Sequence, residues 1–135
     1  ASQTWSDRVA LRYCPLDYIW STRQLLRTYT PTIAVIIETE IWPELYHQCE
    51  VHRVPIYIVN GRLGAKTLGA GFPIRHLYQG ALAHNATVWA RSEVDREHFV
   101  NLGCPPENAL SVGSIKMSRK PPPAPPDRAP RPRGP

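Results

Sequence analysis

The apolar run Ile33-Ala34-Val35-Ile36-Ile37 passes directly into Glu38-Thr39-Glu40-Ile41-Trp42-Pro43, and this junction constrains the fold more than any other part of the chain. The run has the length and character of a buried strand. Proline suits the first turn of a helix, where its missing N–H has no helical partner to lose. Strand, acidic turn and helix therefore form one unit, with two carboxylates at the strand's end. In open α/β sheets ligands bind in the crevice outside the carboxyl ends of the strands.

The same alternation recurs along the chain, which is the pattern of βα units around a mainly parallel sheet. Strands are expected over residues 9–14, 32–38, 56–60, 87–91 and 110–112. Asp17 is expected to cap a helix running to about Tyr29, with Ile19, Leu25 and Leu26 among its buried positions, and Pro31 stops it. A second helix is expected from about Trp42 to His52. Gly64, Gly69 and Gly71 make residues 61–72 a loop, and Pro73 opens a third helix ending near His84. Ser92, Glu93, Asp95 and Glu97 mark a fourth start, since acidic side chains in the first turn complement the helix dipole. Gly103 closes that helix, and Pro105 and Pro106 prevent its resumption.

From Pro121 onward eight of fifteen residues are proline with no apolar periodicity. That composition predicts a disordered Pro/Arg-rich tail. The expected organisation is a Rossmann-like α/β domain over residues 1–118 and the tail over 119–135. At 135 residues and 42% hydrophobic content the chain can bury one core of ordinary size.

The formal charge of +5 sits almost wholly in that tail. Residues 1–114 carry ten Lys/Arg and ten Asp/Glu; beyond them Lys116, Arg119, Lys120, Arg128, Arg131 and Arg133 face Asp127 alone. A near-neutral body and a tail without aromatic residues argue against a nucleic-acid partner. Cys14, Cys49 and Cys104 form no CxxC pair, so neither a disulfide framework nor a zinc ribbon is expected, and a reducing compartment is the simpler reading. No apolar run approaches the roughly 20 residues of a membrane span, and the first residues do not have the pattern of a signal peptide. The chain is expected to be soluble or peripheral.

Several side chains can carry chemistry. Glu38 and Glu40 lie two apart, so in an extended segment both point to one face, where paired carboxylates can act as base and electrostatic stabiliser. The alternative is structural, with Glu40 capping the Trp42 helix and Glu38 accepting from a neighbouring loop. Asn60-Gly61-Arg62-Leu63 ends the next strand and brings an amide and a guanidinium to the same sheet edge. Arg62 can bind a phosphate or carboxylate bidentately, or pair with Glu38 or Glu40. Gly113-Ser114-Ile115-Lys116 follows the last strand, and Lys116 there suits a phosphate or simply meets solvent. His47, Cys49 and His52 share a helix but not a face, so no metal is expected. Trp42 and Trp89 are expected as core anchors.

Taken in order, Ile36-Ile37-Glu38-Thr39-Glu40-Ile41-Trp42-Pro43-Glu44-Leu45, Asn60-Gly61-Arg62-Leu63, Ser92-Glu93-Val94-Asp95 through Phe99 and Leu102-Gly103, and Val112-Gly113-Ser114-Ile115-Lys116 resemble the amino-terminal half of bacterial 3-deoxy-D-manno-octulosonic acid (Kdo) transferases. The resemblance spans residues 4–117. It implies the amino-terminal half of a GT-B glycosyltransferase, in which two Rossmann-like domains face a cleft. It further implies a lipid A precursor as acceptor on this half and CMP-Kdo as donor, bound mainly by a second, carboxy-terminal domain. No cofactor is implied. The implied setting is lipopolysaccharide assembly at the cytoplasmic face of the inner membrane.

By the same resemblance Glu38 and Lys116 are the transition-state stabilisers, with Glu40, Asn60, Arg62 and Ser114 contacting substrate. The family's general base lies in a Ser-Val-Gly-Glu segment that has no counterpart here, and nothing downstream resembles a nucleotide-binding domain. Gly64 and Gly69-Ala70-Gly71-Phe72 stand where the family has Ser and an Arg-Gly-Tyr-like segment, and Ser118 stands where it often has aspartate. The expectation is an incomplete domain, inactive alone. The alternative is a non-catalytic module that binds an acceptor or an anionic lipid surface.

Overall fold

The structure is a computed structural model; it describes residue 9 and residues 12–38, 40–83 and 85–114. The element order is α1 (Ile19–Tyr29), β1 (Ala34–Ile37), α2 (Pro43–Val51), β2 (Ile56–Gly61), α3 (Ala65–Leu68), α4 (Phe72–Ala83), β3 (Ala86–Ala90), α5 (Glu93–Asn101), a 3₁₀ turn (Pro106–Asn108) and β4 (Ala109–Ser111). The strands form one sheet in the order β1-β2-β3-β4, and every pairing is parallel. The α/β class and the parallel sheet with flanking helices are as expected from the alternation of apolar and amphipathic runs.

The core lies between one face of this sheet and the helices. Ile56, Ile58, Ala86, Val88, Ala90 and Ala109 supply the sheet side, and Leu26, Leu45, Tyr46, Cys49, Leu82, Phe99 and Leu102 supply the helix side. At about 25 cal/mol per Å² of apolar surface buried, this cluster is the main favourable term in folding. The opposite face is open: Val35, Ile37 and Leu110 are half exposed or more, and Trp89 is 38% exposed. The single-file order explains why. Right-handed crossovers between strands added in one direction all pass over the same side.

Several expectations are corrected. Residues 9 and 12–14 belong to no strand, while 10 and 11 lie outside the described residues; a run of strand length and character does not by itself make a strand. Asp17 does not cap α1, whose N-cap is Tyr18 without a side-chain bond. Its carboxylate instead accepts the Glu44 and Leu45 backbone N–H groups of α2, at 3.1 and 2.8 Å. Ile19 is exposed, and Thr22 takes the buried position beside Leu26, its hydroxyl donating to the Tyr18 carbonyl. The expected loop over 61–72 holds the short helix α3, because its glycines flank rather than interrupt Ala65–Leu68. Trp89 is no core anchor: it points to the open face and packs against Tyr57, with ring centroids 5.6 Å apart. Trp42 packs against the core as expected. The boundary near residue 118 and the tail over 119–135 lie outside the described residues.

Helix α5 follows its sequence signals closely. Ser92 is its N-cap and accepts the Asp95 N–H at 3.2 Å. Gly103, at φ +113, turns the chain away after it. A Cβ at Gly103 would stand 3.1–3.2 Å from Gln79 of α4, so this turn needs glycine for conformation and for space.

Candidate functional site

Because all four strands are parallel, their carboxyl ends share one edge of the sheet. β1 delivers Glu38 there, β2 delivers Asn60-Gly61-Arg62, β3 delivers Arg91-Ser92, and β4 is followed by Ser114. Lys116 lies outside the described residues. Of the residues singled out from sequence, the fold joins Glu38 and Arg62: Arg62 Nη2 stands 3.4 Å from Glu38 Oε2. Both side chains keep solvent access, at 35% for Glu38 and 47% for Arg62, so the pair is open to a ligand.

At these two strand ends the backbone takes conformations uncommon for residues with a side chain, just after β1 and at the bulge near the end of β2. Glu38 has φ +67 and Asn60 φ +56. Such conformations cost about 1–3 kcal/mol and persist where surroundings hold them. The Glu38 N–H is held by the Val59 carbonyl at 3.0 Å, tying the end of β1 to β2.

Glu40 does not share the site. The turn at Glu38 breaks the extended geometry that would have aligned the two carboxylates. Glu40 Oε2 accepts the Trp42 indole N–H at 2.8 Å, and its carbonyl accepts the Tyr46 hydroxyl at 3.0 Å. It fastens the turn to the start of α2 but is not a helix cap, since Trp42 holds that position without a side-chain bond. Asn60 is buried and Ser114 half-buried; both are engaged in interactions within the fold.

One strand-end cation escaped sequence reasoning. Arg91 follows β3 directly and its Nε donates to Asp95 Oδ2 at 3.0 Å, where the Ser92 hydroxyl also donates at 2.6 Å. Burial alone would raise the Asp95 carboxyl; the Ser92 and Arg91 hydrogen bonds, with the charges of Arg91 and His98, outweigh it and hold the group below its ordinary range. The available signal was position: a run expected to end on Arg91 places that residue where ligands collect. Among the described residues no group of three or more His, Cys, Asp or Glu could hold a metal. Cys49 and Cys104 are buried, and burial pushes both thiols up to about 11, so neither is a nucleophile at neutral pH.

The family model of 3-deoxy-D-manno-octulosonic-acid transferase matches residues 1–119. The chain belongs to the Kdo transferase family. It is 31% identical over 120 residues to the 3-deoxy-D-manno-octulosonic acid transferase of Haemophilus influenzae, covering 84% of this chain and 26% of that one. The Rickettsia felis protein of the same description is 28% identical over 113 residues, covering 81% and 23%. A bifunctional glycosyltransferase/methyltransferase of Fusobacterium nucleatum is 28% identical over 120 residues, covering 87% and 19%. The chain thus spans about a quarter or less of the length of these curated relatives. No solved structure matches it significantly. Within this glycosyltransferase family the Glu38–Arg62 pair lies in the ETEIWP and NGRL segments on which the resemblance rests.

Proposed function

We propose that this chain is part of the acceptor-side domain of an enzyme that transfers Kdo from CMP-Kdo to a lipid A precursor, and that it does not turn over alone. The observation that carries the reading is the open Glu38–Arg62 pair at adjacent strand ends, 3.4 Å apart, in a chain of the Kdo transferase family. Breaking the bond between the sugar and the phosphate of CMP develops positive charge on the sugar and negative charge on the departing phosphate. A carboxylate placed near the sugar opposes the first, and a lysine such as Lys116 opposes the second; fixed charges aimed at developing charge are commonly the largest catalytic term. Arg62 orients Glu38 in the free site and offers a guanidinium to an acidic or phosphorylated acceptor. Ser114, half-buried after β4, completes the substrate side, while Glu40 fastens the turn that carries Glu38. The donor carries its own leaving group, so no cofactor is called for.

The test is transfer by the full-length protein. Glu38→Gln is expected to lower kcat by about 10²–10³, the range for loss of one electrostatic stabiliser, with thermal stability unchanged. Normal turnover would remove Glu38 from the mechanism.

A second element of the reading is contact with an anionic membrane surface, which is the setting of a lipid acceptor at the cytoplasmic face of an inner membrane. No described helix is long and apolar enough to cross a membrane. Exposed Tyr18 and Trp20 stack with centroids 6.4 Å apart, and Arg23 and Arg27 follow Trp20 on the same helical face. Aromatic rings with adjacent arginines suit a headgroup layer. Sedimentation with anionic vesicles tests this: Trp20→Ala together with Arg27→Glu should weaken binding, and removal of residues 119–135 should weaken it further. Binding unaffected by either change removes the membrane role.

A further inference from the structure

The side chains of β2 change faces at its carboxyl end. From the strand's start the even positions face the core: Ile56, Ile58 and Asn60 are buried, while Tyr57 and Val59 are half-buried on the other face. Beyond Asn60 the odd positions take over, since Gly61 and Leu63 are buried and Arg62 is exposed. The switch coincides with a bulge. Val59 pairs with Trp89 and Gly61 with the next residue, Ala90, so that Asn60 is one extra residue in β2. A strand that alternated regularly through Asn60, with no bulge, would turn Arg62 into the core and Leu63 out to solvent, because side-chain direction in a strand has a period of two.

Both residues of the bulge are suited to it. Asn60 stands at φ +56, a left-handed conformation that asparagine tolerates and β-branched residues do not. Gly61 then has to face the core directly after another core-facing residue, and a Cβ there would lie 3.0 Å from Phe99 Cε2. At 6% exposure Asn60 offers little surface to a substrate.

We propose that Asn60 is a positioning residue: its left-handed bulge reverses the facing of β2 and thereby presents Arg62 to Glu38 while sending Leu63 into the core. This rests on the reading of Glu38 and Arg62 as the site, and it replaces direct substrate contact as the role of Asn60. The prediction concerns which of two neighbouring side chains meets solvent, so thiol labelling reads it directly.

In a Cys14→Ser background, with buried Cys49 and Cys104 as internal controls, Arg62→Cys should react quickly with a maleimide and Leu63→Cys slowly. Asn60→Gly, which keeps the left-handed conformation, should preserve that order. Asn60→Val should invert it, position 63 becoming the faster. An unchanged order in Asn60→Val, with Cys49 and Cys104 still protected, overturns the proposal. Should Asn60→Val unfold the chain, seen as labelling of Cys49 and Cys104, Asn60→Ala decides by the same ratio. The site reading is tested separately: full-length protein in which Arg62→Ala leaves transfer and acceptor KM unchanged would refute it and leave the labelling result standing.

Discussion

Asp17 shows how a residue's chemistry can be legible while its address is not. A carboxylate just ahead of an amphipathic run is a sound N-cap signal, but the N–H groups that it satisfies belong to α2, 27 and 28 residues away. Sequence windows see only local partners. Replacing Asp17 by Ala should therefore cost roughly 0.5–2 kcal/mol by urea denaturation, and Asn, which keeps one acceptor, should recover part of it. If α2 is capped otherwise, both variants will match the parent. Glu38 and Arg62 behave in the opposite way. Their pair is exposed, and exposed ion pairs are worth about 0–1 kcal/mol, so Arg62→Ala should leave the denaturation midpoint nearly unmoved while impairing transfer by the full-length protein. A large loss of stability would make the pair a structural one. Asp95 adds a pH dependence. Its carboxyl is held below the ordinary range in the folded state, so its contribution is fully present above the unfolded carboxyl's range and is lost as pH falls through the folded value. Asp95→Asn should flatten the acid limb of stability against pH, and a limb of unchanged steepness would contradict the assignment.

The elements themselves were largely legible, because apolar runs between helical stretches fix a parallel βα alternation whatever the details. Strand β3, helix α2 and helix α5 lie within a residue or two of where Thr87, Trp42 and Ser92 indicated. What escaped was set by contacts between elements. Residues 9–14 have the length and apolar character of a strand, yet the described part of that run joins no strand of the sheet. The bulge in β2 depends on register against β3, which no composition rule reads from Asn60-Gly61. Size marks Trp89 as a core anchor, but its facing follows from register with Leu110 and Val59. The bulge also fixes a stability prediction: Gly61→Ala drives a methyl to about 3.0 Å from Phe99, and overpacking of this kind costs about 1–3 kcal/mol. Combining it with Phe99→Leu should restore part of that loss. Additive destabilisation in the double variant would place the strain elsewhere.

For the whole molecule, the helices on one face and the open sheet on the other set solution behaviour. Parallel sheets are ordinarily covered on both faces, and here Val35, Ile37, Trp89 and Leu110 leave an apolar surface in water. The chain should bind a hydrophobic dye such as ANS while keeping a cooperative thermal transition, and Val35→Lys with Ile37→Lys should abolish the binding at little cost in stability. Absence of dye binding in the parent chain would mean that the face is covered in solution. The order of the strands also has a kinetic consequence. β1 stands at the margin of the sheet and is paired on one side only among the described residues, so its outward amides should exchange with deuterium before those of β2 and β3. Because β1 leads into Glu38, exchange at Val35 and Ile37 serves as a local clock for the site: a molecule that seats itself against that margin should slow it there first, before any change is visible in the core.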